Sequence, residues 1–433
     1  MTESARRMIE LTRQLSPLPR LLVSRGLDRA FELLQEHFPD MVVHAWASGE
    51  AREDWVAPLS WNLVRGELRH VDGGLIYSSV EHPLLVVPYS QPFSGLVSGE
   101  ELAAHASTRP DRPHAFCLEH RLAYNYRLKD WRLSLPHDFL SNLPEGPFHV
   151  LIETEVEPGT LRVGELFLPG ESDAVVCFSA HIDELCNDDL SGCVVGLELF
   201  RWLSGRKRKH SYQLLLFPEL FGALFWAYDN RGILARTVGM LNLEALGAGE
   251  RLCMKRSLSG DSDVDNALRL ALREENAALN ELGFFEGYGN DERVFMWPGV
   301  NVPSPALQRF PFPEYHTSDD VPDLLSPEMM DNALRVCRHF VGILEDDAVP
   351  AFTGMLPPWL TKWGLYYDQT QEKHMAGKFN NELLFSVDGV NSLAELASLT
   401  GLRFSAVKDY LDKFVQHGLM TYSPKPPTQG RRA

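Results

Sequence analysis

The chain has 433 residues, 44% of them hydrophobic and 23% charged, a balance typical of folded globular proteins and more length than one compact core supports, so two or three domains are expected. Its net charge of -18, from 59 acidic against 41 basic residues, repels phosphate backbones and anionic lipid and argues against nucleic acid as a partner. The N-terminal "MTESARRMIELTRQL" lacks the apolar stretch and cleavage site of a signal peptide, and no run is apolar enough to span a bilayer, so a cytoplasmic location without a membrane partner is expected.

Residues 3 to 38 read as helical, with Ile9, Leu11 and Leu15, then Ala30, Phe31 and Leu34, at roughly helical spacing. From 51 to 118 the texture changes to short alternating runs such as "LRHVDGGLIYSSV", broken by Gly, Pro and Asp, which predicts a small inserted β-rich domain. Residues 1–50 and 119–350 are read together as one discontinuous α/β domain. Its strand-length runs are "FHVLIETEV", "LRVGELFLPG", "DAVVCFSAHID", "SYQLLLFPE" and "VGMLNLEALG", with helical stretches at 191–204 and 262–280 between them. Such alternation predicts a doubly wound, mainly parallel sheet with its ligand site at the carboxyl ends of the strands. Near the C-terminus, a helix over 379–387 and two more, with Ser392 and Ser405 as N-caps and Gly401 and Gly418 as stops, suggest a winged-helix domain over 358–424. Residues 425–433 read as a disordered tail. Six scattered cysteines without CxxC spacing suit reduced, buried thiols.

The residues able to do chemistry follow the apolar runs. In "SAHIDELCNDDLSG", His181 and Asp183 emerge where a strand leaves the sheet, and alternation turns both side chains the same way, so that one can orient the other. Asp188 or Asp189 lies in the connection to the next helix, where the glycine lets that helix pack close to the sheet. Glu219 follows another apolar run and a proline, where a carboxylate is either a metal ligand or a base of raised pKa. Glu244 ends a third run, and His316 stands in "PEYHTSDD" beside Tyr315. Each feature alone has a plainer reading: capping for Glu219 and "NDD", hydrogen bonding for His316, solvation for Asp319 and Asp320. Their recurrence at successive strand ends raises the weight of a shared site.

The order HxD, xDxxSG, a glutamate after an apolar strand, an acidic strand end and YHT resembles the zinc aminopeptidase family, which also includes glutamate carboxypeptidases and glutaminyl cyclases. The strings "DER", "PEYHTS" and "NDDLSG", with "WNLVRGEL", "VVPYSQPF" and "WGLYYD", are similar to a bacterial aminopeptidase-like branch carrying an inserted β domain and a C-terminal winged helix. The resemblance spans roughly residues 10 to 420. It implies His181, Asp188, His316 and Glu244 as zinc ligands, Asp183 as the carboxylate orienting His181, and Glu219 as general base. Leu220 stands where such aminopeptidases carry a second glutamate, so one zinc ion is expected ahead of two. Arg293 or Tyr315 would stabilise an oxyanion, or Asp291 and Glu292 would bind a substrate ammonium, an ion-paired loop being the alternative for "DER".

The expected activity is zinc-dependent hydrolysis of a peptide or small amide. A cyclase on the same scaffold and a degenerate binding protein are the alternatives. Lys408 and Lys413 are offset by Asp409 and Asp412, which opposes DNA binding by the last helix. A homo-oligomer is compatible with the sequence.

Overall fold

The structure, a computed structural model, describes residues 1–125, 127–276, 279–368, 370 and 373–425. Eight strands form its central sheet: β1 (Val42–Ala47), β2 (Thr160–Leu168), β3 (Val175–His181), β4 (Ser211–Phe217), β5 (Thr237–Glu244), β6 (Arg251–Lys255), β7 (Glu281–Leu282) and β8 (Ala306–Phe310). Their order is β1-β2-β4-β3-β5-β8-β6-β7. The centre, β4-β3-β5-β8, is parallel, β1 and β2 pair antiparallel to their neighbours, and β6 pairs antiparallel to β8 and parallel to β7. Every residue of β3 and β4 is buried, as continuous apolar runs require when both sheet faces are covered.

Strand alternation divides those side chains between two cores. Tyr212, Leu214 and Leu216 of β4 join Phe178 of β3 and the helices Glu3–Leu15, Leu190–Ser204, Asp263–Glu275 and Pro327–Asp346 in one cluster. Leu215 and Phe217 join the second cluster, with the helix Phe221–Asp229 and a four-stranded antiparallel sheet.

That smaller sheet corrects one expectation. It pairs Leu75–Ser78, Ser60–His70, Phe148–Glu157 and Phe93–Val97 in that order, so "FHVLIETEV" belongs here and not to the parallel sheet. The cause is visible in the strand: Phe148, Val150 and Ile152 are buried and the residues between them are not, the period-2 pattern of an antiparallel strand with one wet face.

At the C-terminal end, helical turns run from Ala376 to Ser386. The helix Leu393–Thr400 starts at Ser392 with a capping box and ends at Gly401, whose φ of +67° lies in the left-handed region. The last helix, Phe404–Gln416, starts one residue before the expected cap, and Ser405 lies inside it. Tertiary contact sets that start, because a Glu274 carboxylate oxygen accepts from the Phe404 N–H and Arg403 donates to the Glu274 carbonyl at 2.6 Å. Strands Val349–Phe352 and Met420–Ser423 pair antiparallel beside these helices. Lys425 lies 2.7 Å from Asp263, and the rest of the expected tail, 426–433, falls outside the described residues. All six cysteines are free and buried, and among the described residues no helix is long and apolar enough to cross a membrane.

Candidate functional site

The carboxyl ends of β3, β4 and β5 bring the buried His181 and Glu244 and the half-buried Glu219 together. His181, 2% exposed, is the centre of the group. Its Nδ1 lies 3.2 Å from Asp183 Oδ1, which also accepts from the Glu219 backbone N–H at 3.0 Å. Its Nε2 faces Asp188 Oδ1 at 3.1 Å and Glu244 Oε2 at 3.7 Å. The other oxygen of Asp188 lies 3.0 Å from His316 Nε2, so one carboxylate links two imidazoles.

The connection between β3 and the following helix is held from three sides. Asp320 accepts from the backbone N–H groups of Cys186, Asn187 and Asp188 at 3.3, 2.7 and 3.1 Å. It is 3% exposed, so the solvated acid expected there is instead a buried loop clamp, for which the three amides are the reason. Asn187 Oδ1 accepts from Gly247 and Ala248, tying the loop to the chain after β5. Asp189 caps the helix through Gly192 N–H at 3.0 Å. A Cβ at Gly192 would stand 2.5 Å from that carboxylate and 2.7 Å from the Leu243 carbonyl, which is why only glycine lets helix and sheet close here. Glu184, Leu220, Ala245 and His316 all have positive φ, between 49° and 73°. Non-glycine residues in that region each cost roughly 1–3 kcal/mol and cluster where a site needs the geometry.

Arg20, 2% exposed, donates to the carbonyls of Leu15, Leu18, Ile182, Glu184 and Leu185. It therefore splints the segment that carries Asp183. Arg20→Met is expected to lower unfolding stability by about 2–5 kcal/mol, since buried carbonyls left unpaired cost roughly 1–3 kcal/mol each. A urea midpoint unchanged from wild type would refute this.

Four residues at the site escaped the sequence reading. His120 Nε2 lies 2.8 Å from Glu184 Oε1, and Glu184 Oε2 lies 3.3 Å from His316 Nε2. A short antiparallel bridge between Cys117 and Thr317, with the Leu118 N–H donating to the His316 carbonyl at 2.9 Å, carries His120 beside His316. Tyr124, one helical turn on, donates its hydroxyl to Glu219 Oε2. Asn290 donates to Glu244 Oε2. Only Glu184 had a local signal, as a fourth acid inside "HIDELCNDD".

The residues of "DER" are dispersed. Asp291 is buried beside Glu219 and accepts from the Leu220 N–H at 2.7 Å. Glu292 is taken up by a buried ion pair with Lys255 Nζ at 2.6 Å and by the Asn290 N–H, so its carboxylate supports the Asn290 turn. Arg293 is exposed and packs over Gly289. Tyr315 stacks on His316 with ring centroids 3.8 Å apart.

Burial, then the neighbouring Glu184, pushes the Glu219 carboxyl up to about 7. Burial pushes Glu244 up to about 8. For His316, burial opposes the charge, but Glu184 and Asp188 outweigh it and raise the group to about 11. Seven carboxyl groups crowd together here: Asp183, Glu184, Asp188, Asp189, Glu219, Glu244 and Asp291. Among the described residues their ion-pair partners are His120, His181 and His316. So much buried negative charge calls for a cation.

The donor set fits zinc. Bonds of about 2.0–2.2 Å at tetrahedral angles leave ligand atoms roughly 3.3 Å apart, near the 3.1 and 3.7 Å from His181 Nε2 to Asp188 and Glu244. Glu244 Oε1, Asp188 Oδ2, Asp189 Oδ2 and Asp291 Oδ2 are buried without hydrogen-bond partners among the described residues. Asp188 Oδ2 is close to His316 but off hydrogen-bonding direction, as atoms aimed at a common third point would be.

The family profile of DUF4910, a domain of unknown function, matches residues 9–347. The chain belongs to the DUF4910 family. This DUF4910 chain is 26% identical over 425 residues, 94% of each protein, to a Clostridium acetobutylicum candidate polysaccharide biosynthesis protein with an aminopeptidase-like domain. Its structure matches a candidate peptidase of Clostridium acetobutylicum with a TM-score of 0.84 at 24% identity over 97% of each chain. It also matches a zinc aminopeptidase of Bacillus subtilis with a TM-score of 0.55 at 15% identity, over 78% of this chain and 94% of that one. The chain thus has the fold of zinc aminopeptidases.

Proposed function

We propose that the protein is a zinc-dependent hydrolase of aminopeptidase type, acting on a peptide or small amide. The observation that carries this reading is the double role of Asp183 Oδ1, which lies 3.2 Å from His181 Nδ1 and accepts from the Glu219 N–H, and so holds the imidazole beside a carboxyl of raised pKa. In this reading His181 Nε2, Asp188 and Glu244 hold the ion, with His316 on the far oxygen of Asp188. Zinc bound there supplies Lewis-acid activation of water and of the scissile carbonyl.

The chain's own residues do the rest. Asp183 fixes the His181 tautomer, so that Nε2 keeps its lone pair for the ion. Glu219 takes the water proton and returns it to the departing amine. Tyr124 holds one Glu219 oxygen and leaves the other for that proton. Burial, then Asp188, pushes the Tyr315 hydroxyl well above the ordinary tyrosine value, so it stays a donor able to meet a developing oxyanion. Asp291, beside Glu219, is the carboxyl offered to a substrate ammonium.

The test is release of product from a panel of aminoacyl anilides and dipeptides by zinc-loaded protein across pH. A base must be ionised to act, so kcat/KM is expected to fall about tenfold per pH unit on the acid side of an apparent pKa at or somewhat below 7, a cation nearby favouring the ionised form. Absence of turnover on every aminoacyl amide would sink the aminopeptidase reading. A flat acid limb would remove Glu219 from the role of base.

A further inference from the structure

The geometry points to a binding site for a phosphate-bearing ligand at Trp202, where the guanidiniums of Arg206 and Arg338 gather on one indole with no carboxylate of the described residues paired to either. This position stands apart from the strand-end site. Asp189 caps the helix Leu190–Ser204 at its start and Trp202 lies near its end, roughly 20 Å along an axis that rises about 1.5 Å per residue.

The chain carries a net charge of -18, yet residues 206–209 read "RKRK". The acids nearby already have partners. Glu198, 4% exposed, accepts from Arg7 at 2.9 and 2.7 Å and from Arg201 at 3.0 Å, and Asp331 accepts from the Thr2 hydroxyl at 2.8 and 2.6 Å. Two of the local cations are likewise engaged: Arg208 donates to the carbonyls of Pro169, Leu203 and Arg206, and Lys209 to that of Asp347.

Arg206 and Arg338 are different. Their guanidinium carbons lie over the Trp202 ring at 4.1 and 5.6 Å from its centroid, and among the described residues neither side chain has a hydrogen bond or an ion pair. Arg338 Nε is moreover buried without a partner. Burial holds the Arg338 guanidinium below its ordinary value, with Glu198 and Asp331 opposing the effect and Arg206 and Arg7 adding to it. A partly buried donor left unpaired beside other cations calls for an anion. The chemistry of that anion follows from the donors. Each guanidinium offers a planar fork that fits two oxygens, and two forks with the adjoining exposed Lys207 match a group of several oxygens and at least two charges, as in a phosphate monoester or diphosphate, better than a single carboxylate.

The experiment is calorimetric titration of the zinc-loaded full chain with inorganic diphosphate, beside flotation with phosphatidylcholine vesicles that contain or lack phosphatidic acid. Wild type is expected to bind one diphosphate per chain, with Kd raised about tenfold or more in both Arg338→Gln and Arg206→Gln and zinc content unchanged. Diphosphate binding without vesicle binding would support a soluble phosphate ligand. Vesicle binding that needs both phosphatidic acid and the two arginines would support a lipid headgroup. Neither diphosphate nor vesicle binding by wild type would overturn the site, as would equal binding by wild type and both variants, which would place the anion elsewhere on the chain. Arg206 is exposed, so if Arg338→Gln fails to fold, Arg206→Gln decides by the same criterion.

Discussion

Glu219→Gln is expected to lower kcat by about 10²- to 10⁴-fold, the usual contribution of a positioned general base, while zinc content stays at the wild-type level. Glutamine keeps the size of the side chain and an oxygen for the Tyr124 hydroxyl, so packing survives. It cannot take a proton. The backbone N–H of residue 219 still donates to Asp183, so the His181 orientation is unaffected. The check is steady-state kinetics beside elemental analysis on the same preparations. A loss below tenfold with zinc retained would mean that the proton goes elsewhere, Asp291, another buried carboxyl of raised pKa beside Glu219, being the candidate.

Asp188→Asn is expected to abolish tight zinc binding and to bring activity to background. Its two oxygens, 3.1 Å from His181 and 3.0 Å from His316, are the only atoms that face both imidazoles among the described ion pairs, and an amide is a far weaker ligand than a carboxylate. Without a cation, Asp188 is the ion-pair partner of both His181 and His316, so the metal-free variant is expected to be less stable than metal-free wild type. Zinc at 100 times its Kd should then stabilise wild type by about 2.7 kcal/mol and leave the variant unchanged, read as Tm with and without chelator. An equal zinc-induced rise in both proteins would place the ion away from Asp188. Glu219 and Glu244 have folded values near 7 and 8 against an ordinary 4.5, so their contribution to metal-free stability is present below about 4.5 and is lost as pH rises through 7 and 8.

Glu184 and Asp320 show where local reading fails. Asp320 is one of two adjacent acids in a loop, and in the sequence that pair resembles solvated charge. It becomes a buried clamp only because the Cys186–Asp188 backbone arrives from 132 to 134 residues away with three amides to satisfy. His120 carries no motif at all; a single bridge between Cys117 and Thr317 delivers it to the site. The N-terminus of the last helix likewise moved because Glu274, on another helix, binds its first amide.

What the sequence determined by itself was the set of strand ends and what hangs from them. Buried parallel strands must be apolar at nearly every position, so a polar residue closing such a run marks where the chain leaves the sheet, and His181, Glu219 and Glu244 were legible for that reason. Tertiary structure alone decided which of the other acids and imidazoles join them. Membership depends on backbone amides and carbonyls seeking partners across long chain separations, as Arg20 and Asp320 do, and an unpaired peptide group leaves no trace in the order of side chains.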